Sequence, residues 1–238
     1  MTGRRGGVWG LIPGRLIVGE GCDGSGKTTQ LQLLRRWLIE QGAAVYWTAW
    51  NSSEAVHPRI REAKRRRRLT PLTYSLLHAC DFAARYEEGI LPHLQAGWVV
   101  LADRYVFTAY ARDGARSCKA AWVRGLYGFA ARPDLVLYFR ASPETGLQRV
   151  LARRSAPRFY EAGMDLGLSE DPSESFRLYQ GRVRERYDRL LRGERTVVID
   201  ADTAAVRQQE RVRAVVGELL GLPGAGEGRA AACLDASL

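Results

Sequence analysis

Short apolar runs alternate with stretches of helical spacing along most of the chain. The runs fall at residues 16–18, 43–47, 98–102, 135–139 and 196–199. Each has strand length, and several are rich in β-branched or aromatic residues. The segments between them predict helices with recognisable ends. After Lys27, the residues Leu31, Leu34 and Leu38 share one face, and Gly42 stops the helix. Ser142-Pro143-Glu144 supplies an N-cap, a proline at the first helical position and an acidic first turn. Across 173–192, Phe176, Tyr179, Val183, Tyr187 and Leu190 recur at helical intervals. Strands alternating with helices imply an α/β fold: a mainly parallel sheet with helices on both faces, a three-layer sandwich. Residues 1–14, with Gly3, Gly6, Gly7, Gly10, Pro13 and Gly14, read as a flexible leader, and 221–238 as a flexible Gly/Ala-rich tail. One domain, 15–220, lies between them.

Composition narrows the class. At 238 residues, 46% apolar and 9% aromatic, the chain can bury one full α/β core. No apolar run approaches the roughly 20 residues that span a bilayer, and no secretory segment follows Met1, so no membrane partner is expected. Cys22, Cys80, Cys118 and Cys233 form no CxxC pair. That argues against a metal cage or disulfide framework and fits a reducing cytoplasm. The formal net charge of +10 suits an anionic partner, nucleotide or nucleic acid, and an arginine-rich solvated surface accounts for it equally well. The basic run Lys64-Arg65-Arg66-Arg67-Arg68 has no interleaved aromatic platform, so it reads as a solvated helix end rather than a nucleic-acid site, with attraction of an anionic acceptor as a third use.

The sharpest chemical signal is Gly21-Cys22-Asp23-Gly24-Ser25-Gly26-Lys27-Thr28, a G-x-x-x-x-G-K-[ST] loop between a strand and an amphipathic helix. Its glycines let backbone N–H groups turn inward around a phosphate. Lys27 reaches the β and γ oxygens of ATP, Thr28 offers a hydroxyl to Mg²⁺, and Thr29 follows at the positive helix end. A second apolar strand ends in Asp103-Arg104-Tyr105. This puts a carboxylate at the sheet's carboxyl edge near Mg²⁺, beside an arginine suited to clamping a phosphate. Arg149, Arg153, Arg154 and Arg158 form a basic segment that can close over a triphosphate as a lid, about 153–172. No N-K-x-D signature of GTPases is present, and Asp103 is followed by Arg rather than a water-polarising Glu.

Glu20 to Gln30, E-G-C-D-G-S-G-K-T-T-Q, resembles the P-loop of the thymidylate kinase family, and Asp103-Arg104-Tyr105 resembles its D-R-Y motif. Arg158-Phe159 and Arg182-Val183-Arg184-Glu185-Arg186-Tyr187 are similar to its lid and the helix behind it. The resemblance implies a five-stranded sheet, Mg-ATP as donor, a deoxynucleoside monophosphate as acceptor and a homodimer. It gives Asp23 the acceptor sugar hydroxyl and Arg104 the acceptor phosphate. Gly24 stands where some members carry a catalytic arginine, which leaves Arg158 first and Arg154 second as the lid arginine.

The chain departs from the family on the acceptor side. The family's R-E-P-G is replaced by Ala49-Trp50-Asn51-Ser52. His78 and Phe82 stand where the family has a base-stacking phenylalanine and an arginine four residues on, and Ala111-Arg112-Asp113-Gly114 replaces A-Y-Q-G. His78, Phe82, Tyr105 and Asp113 are the acceptor-side candidates, with Phe82 open to a stacking role. Two alternatives stay open: a kinase with a changed acceptor, including a nucleoside with Glu54 as base, and a nucleic-acid-associated ATPase.

Overall fold

The computed structural model describes residues 13–222. Strands β1 (Arg15–Gly21), β2 (Val45–Ala49), β3 (Val99–Asp103), β4 (Leu135–Arg140) and β5 (Thr196–Asp200) form one all-parallel sheet in the order β2-β3-β1-β4-β5. All five predicted runs are strands, but each runs further toward its carboxyl end than apolarity suggests. Ladder bonds use the backbone and do not require an apolar side chain, so Gly21 still pairs with Phe139 and Gly19 with Asp103. The polar residues added in this way line the carboxyl edge, where ligands of parallel α/β sheets bind. β2 starts at Val45 rather than 43, because Gly42 (φ 82°) and Ala43 complete the turn out of α1 (Lys27–Glu40).

The remaining helices are α2 (His57–Arg65), α3 (Pro71–Arg85), α4 (Leu91–Gln95), α5 (Val106–Ala115), α6 (Ala120–Leu126), α7 (Pro143–Leu151), α8 (Pro172–Leu190) and α9 (Ala205–Leu220). Side chains alternate across the sheet and sort into two cores. Ile17, Leu101 and Leu137 pack under Leu31, Leu34 and Leu38 of α1 and Val212 and Val216 of α9. Leu16, Val18, Val100, Val136 and Tyr138 pack against Phe82 of α3, Ala109 of α5, and Tyr179, Val183 and Tyr187 of α8.

Helix ends follow local chemistry. Ser142 caps α7 by accepting from the Thr145 N–H. α8 begins one residue before the predicted 173, because Asp171 caps it by accepting from Glu174. Gly221, assigned to the tail, is the left-handed cap of α9 (φ 65°), and Leu222 donates back to Gly217. Gly14, assigned to the leader, donates to the Leu94 carbonyl. The rest of the expected leader and tail, 1–12 and 223–238, lies outside the described residues.

One buried acid ties the carboxyl edge together. Glu20 Oε1 accepts from the backbone N–H groups of Tyr105 (2.8 Å) and Thr108 (3.2 Å), serving the N-terminus of α5. Its Oε2 accepts from the Thr108 and Tyr187 hydroxyls, at 2.6 and 2.9 Å, and so anchors α8. Glu20→Ala strands two buried amides and two hydroxyls and should cost about 3 kcal/mol, or roughly 6–12 °C in Tm. Thermal and urea unfolding of the variant checks this; an unchanged Tm would contradict it.

Candidate active site

The phosphate loop leaves β1 at Gly21 and enters α1 at Lys27. Gly24 has φ 79°, and a Cβ there would sit 2.3 Å from the Gly146 carbonyl of α7. The loop therefore packs backbone to backbone on α7, with no room for a side chain at this position. Lys27 Nζ lies 3.8 Å from Asp103 Oδ1, and Thr28 Oγ1 donates to Asp103 Oδ2 at 2.5 Å. Two buried oxygens of the cradle, Ser25 Oγ and Asp103 Oδ1, lack a hydrogen-bond partner. Such oxygens are costly unless a ligand completes them. Thr29 is exposed in the first turn of α1. Burial first, then the Arg104 charge, pushes Lys27 down to about 8. Burial pushes the Cys22 thiol up to about 12, and its Sγ donates to the Gln180 carbonyl, so it is an inert filler.

Asp23 is the hub of the site. Arg104 Nη2 donates to its Oδ1 at 2.6 Å, and Arg112 Nη2 to both oxygens at 2.7 Å. Gln180 donates to Asp23 Oδ2 through Nε2 at 3.2 Å and accepts the Asp23 N–H through Oε1 at 3.2 Å. Burial favours the neutral acid, but Arg112, Arg104 and Lys27 outweigh it and hold Asp23 well below the usual carboxylate range. Arg104 reaches this position from a left-handed backbone (φ 75°) at the end of β3, a conformation that costs about 1–3 kcal/mol in a non-glycine residue. It is held there by its N–H on the Gly19 carbonyl and by Nη1 on the Gly21 carbonyl at 2.7 Å.

The lid arginines divide. Arg149 Nη2 donates to the Ala201 carbonyl (2.8 Å) and Nη1 reaches the Gly24 carbonyl (3.4 Å), so α7 brings a cation onto the phosphate loop. Arg154 pairs with Glu161 at 2.5–2.6 Å. Arg158 is exposed, with its backbone N–H on the same Glu161 carboxylate. The Glu161 carbonyl in turn accepts from Gln180, which connects the lid to Asp23. Within the lid, Asp165 accepts from Arg116, the residue that follows α5, through two bonds at 2.8 and 3.1 Å, which anchors the segment 163–169.

Three acceptor-side candidates lie in the walls rather than in the crevice. Tyr105 is fully buried, its ring edge-on to Phe82 and its hydroxyl on the Ala131 carbonyl at 3.0 Å. Phe82 is likewise 0% exposed among Tyr86, Tyr105, Tyr127 and Phe129, so it has no free face for a base. Asp113 turns away from the crevice to accept from Ser75 Oγ at 2.5 Å, and burial pushes it up to about 6. Its neighbour Arg112 faces Asp23 instead. His78 is buried at the edge of the crevice, with Nδ1 on the Tyr74 carbonyl and Nε2 on Lys64.

The sequence reading gave no role to Glu20, which opens the compared P-loop, to Arg112 or to Gln180. Arg112 lay within the four-residue stretch compared with A-Y-Q-G, and one step along a helix, about 100°, separates it from Asp113. Gln180 carries no signal of its own beyond its place in a predicted helix.

Comparison with known proteins agrees with this geometry. A family model described as thymidylate kinase matches residues 20–212. The chain is 45% identical over 209 residues to a probable thymidylate kinase 2 of Saccharolobus solfataricus, covering 87% of this chain and 97% of that protein. It is 31% identical over 211 residues to a probable thymidylate kinase of Staphylothermus marinus, covering 87% and 96%. It is 29% identical over 217 residues to the thymidylate kinase of Thermoanaerobacter pseudethanolicus, covering 88% and 100%. With its phosphate loop, its strand-end Asp103-Arg104 pair and a match across most of its length, the chain belongs to the thymidylate kinase family of ATP-dependent phosphotransferases.

Proposed function

We propose that this chain transfers the γ-phosphoryl group of ATP to the phosphate of dTMP, giving dTDP and ADP. The convergence of Arg104 and Arg112 on Asp23, in the same crevice as Lys27, carries this reading. Two guanidinium groups side by side match the oxygens of a monophosphate. Asp23, whose carboxylate holds its proton so weakly, is a poor general base and a good acceptor for a sugar hydroxyl. A phosphate acceptor needs no base, because it is already ionised at neutral pH. Glu54, the base a nucleoside acceptor would call for, is exposed beyond β2.

The roles follow from position. Lys27 and the loop amides hold the β and γ phosphates, and Arg104 and Arg112 align the acceptor phosphate in line with them. Arg158, with Arg154 behind it, supplies lid charge to the transferring group. Thr28 and Asp103 are hard oxygen donors suited to Mg²⁺, with the partnerless Asp103 Oδ1 available to the ion or its waters. When bound, Mg²⁺ would neutralise negative charge developing on the transferring phosphates. The exposed Leu72 and Leu76 of α3 and Trp122 of α6 support a homodimer formed through this face.

Coupled ADP release with Mg-ATP tests the acceptor. Selective turnover of dTMP over thymidine and purine monophosphates is expected; turnover of thymidine alone would overturn the reading. Arg104→Ala should lower kcat/KM for dTMP roughly ten- to a hundredfold while leaving the KM for ATP near wild type. Steady-state kinetics in both substrates decide this, and an unchanged dTMP KM removes the phosphate-clamp role.

The pH profile tests Lys27. Its charged form binds phosphate, and the free enzyme loses that proton as pH rises through about 8. kcat/KM for ATP should therefore fall above about pH 8, approaching tenfold per pH unit, while kcat holds to higher pH because bound phosphates favour the ammonium. A kcat/KM profile flat to pH 9.5 would contradict this, as would near-wild-type turnover by Lys27→Ala.

A further inference from the structure

We propose that Lys64 is the specificity-determining residue of the acceptor site, donating a hydrogen bond to the carbonyl oxygen by which thymine differs from cytosine. The inference rests on the acceptor reading above and names the group that recognises the base. His78 positions Lys64, and Trp50 forms the apolar wall beside it.

Lys64 opens a basic run whose arginines behave differently. Arg65 and Arg66 pair with Glu62 in solvent, and Arg67 lies over the Phe159 ring at 4.8 Å. Lys64 instead turns inward at the end of α2. Its Nζ lies 3.0 Å from His78 Nε2 and 5.3 Å from the centre of the Tyr74 ring. The Tyr74 carbonyl can only accept, so His78 Nδ1 carries the proton and Nε2 accepts from Lys64. Burial, then the Lys64 charge, pushes His78 well below its ordinary value and keeps it neutral. Both ring nitrogens are thus spent within the protein, and His78 has nothing left to offer a base.

The ammonium has three donors and uses one of them on His78. Among the described residues no carboxylate pairs with it, and His78 and Trp50, whose backbone N–H bonds the Asp103 carbonyl, connect it to the carboxyl edge where the phosphate clamp stands. A half-buried ammonium with unused donors is costly unless a ligand completes it. Phe82, sealed in the core, fills the position where the family has an arginine, so no donor comes from that position. Trp50 is fixed beside it by its N–H on the Asp103 carbonyl at 2.9 Å, its ring within 12° of parallel to His78 at 6.1 Å. A lysine can only donate, so it favours a ring carbonyl and disfavours the amino group that cytosine presents at the same position.

Kinetics of the full chain with dTMP and dCMP test this in the wild type, Lys64→Met and Lys64→Gln. Lys64→Met should raise the dTMP KM ten- to a hundredfold with kcat within about threefold, leave the ATP KM unchanged, and bring the dTMP:dCMP preference toward unity. Lys64→Gln, one atom shorter and presenting both a donor and an acceptor, should also lose the preference and serves if the Met variant does not fold. Wild-type turnover of dTMP with an unchanged dTMP KM and preference in the variants overturns this inference alone. An equal loss for dTMP and dCMP overturns it too, since it marks a structural role. A wild type inactive on every pyrimidine monophosphate overturns the acceptor reading and this inference together.

Discussion

Three cations, Lys27, Arg104 and Arg112, meet in one largely buried crevice, and Asp23 is the carboxylate that lets the two arginines stand together. Like charges this close repel by several kcal/mol at the effective dielectric of a protein site. Asp23 offsets this by accepting from both arginines within 2.7 Å. The same arrangement makes an anion receptor. An incoming monophosphate can take over the guanidinium donors while Asp23 turns to a sugar hydroxyl, so the crevice exchanges one anion for another rather than opening an uncompensated charge.

That hub is held by buried polar groups packed around it. Glu20 fixes the start of α5, and thereby the phase at which Arg112 points inward, and it anchors α8 through Tyr187. α8 returns Gln180 to both Asp23 and the lid carbonyl of Glu161. The left-handed backbone at Arg104 stores strain that these contacts support. The lid and the arginine pair therefore share one connected set of hydrogen bonds.

The donor half of the site was legible in the sequence because its parts are contiguous. Gly21 to Thr28 lie in one loop whose geometry is set by local glycines, and Asp103-Arg104 end a strand whose apolar pattern is plain. The acceptor half was not, because it depends on helix phase and on chain-distant neighbours. Asp113 and Arg112 are adjacent, and only the packing of α5 decides which faces Asp23. Tyr105 and Phe82 are aromatic residues at motif positions, yet both are sealed in the core between α3, α5 and the sheet. Lys64 looked like one more cation in a solvated run; only folding brings it to His78, 14 residues along the chain.

The crystal structure of the complex with dTMP is the most direct measurement of the central claim. The expected result has Arg104 and Arg112 on the acceptor phosphate oxygens and Asp23 on the sugar hydroxyl. A complex in which both arginines keep Asp23 and the phosphate lies elsewhere would contradict it.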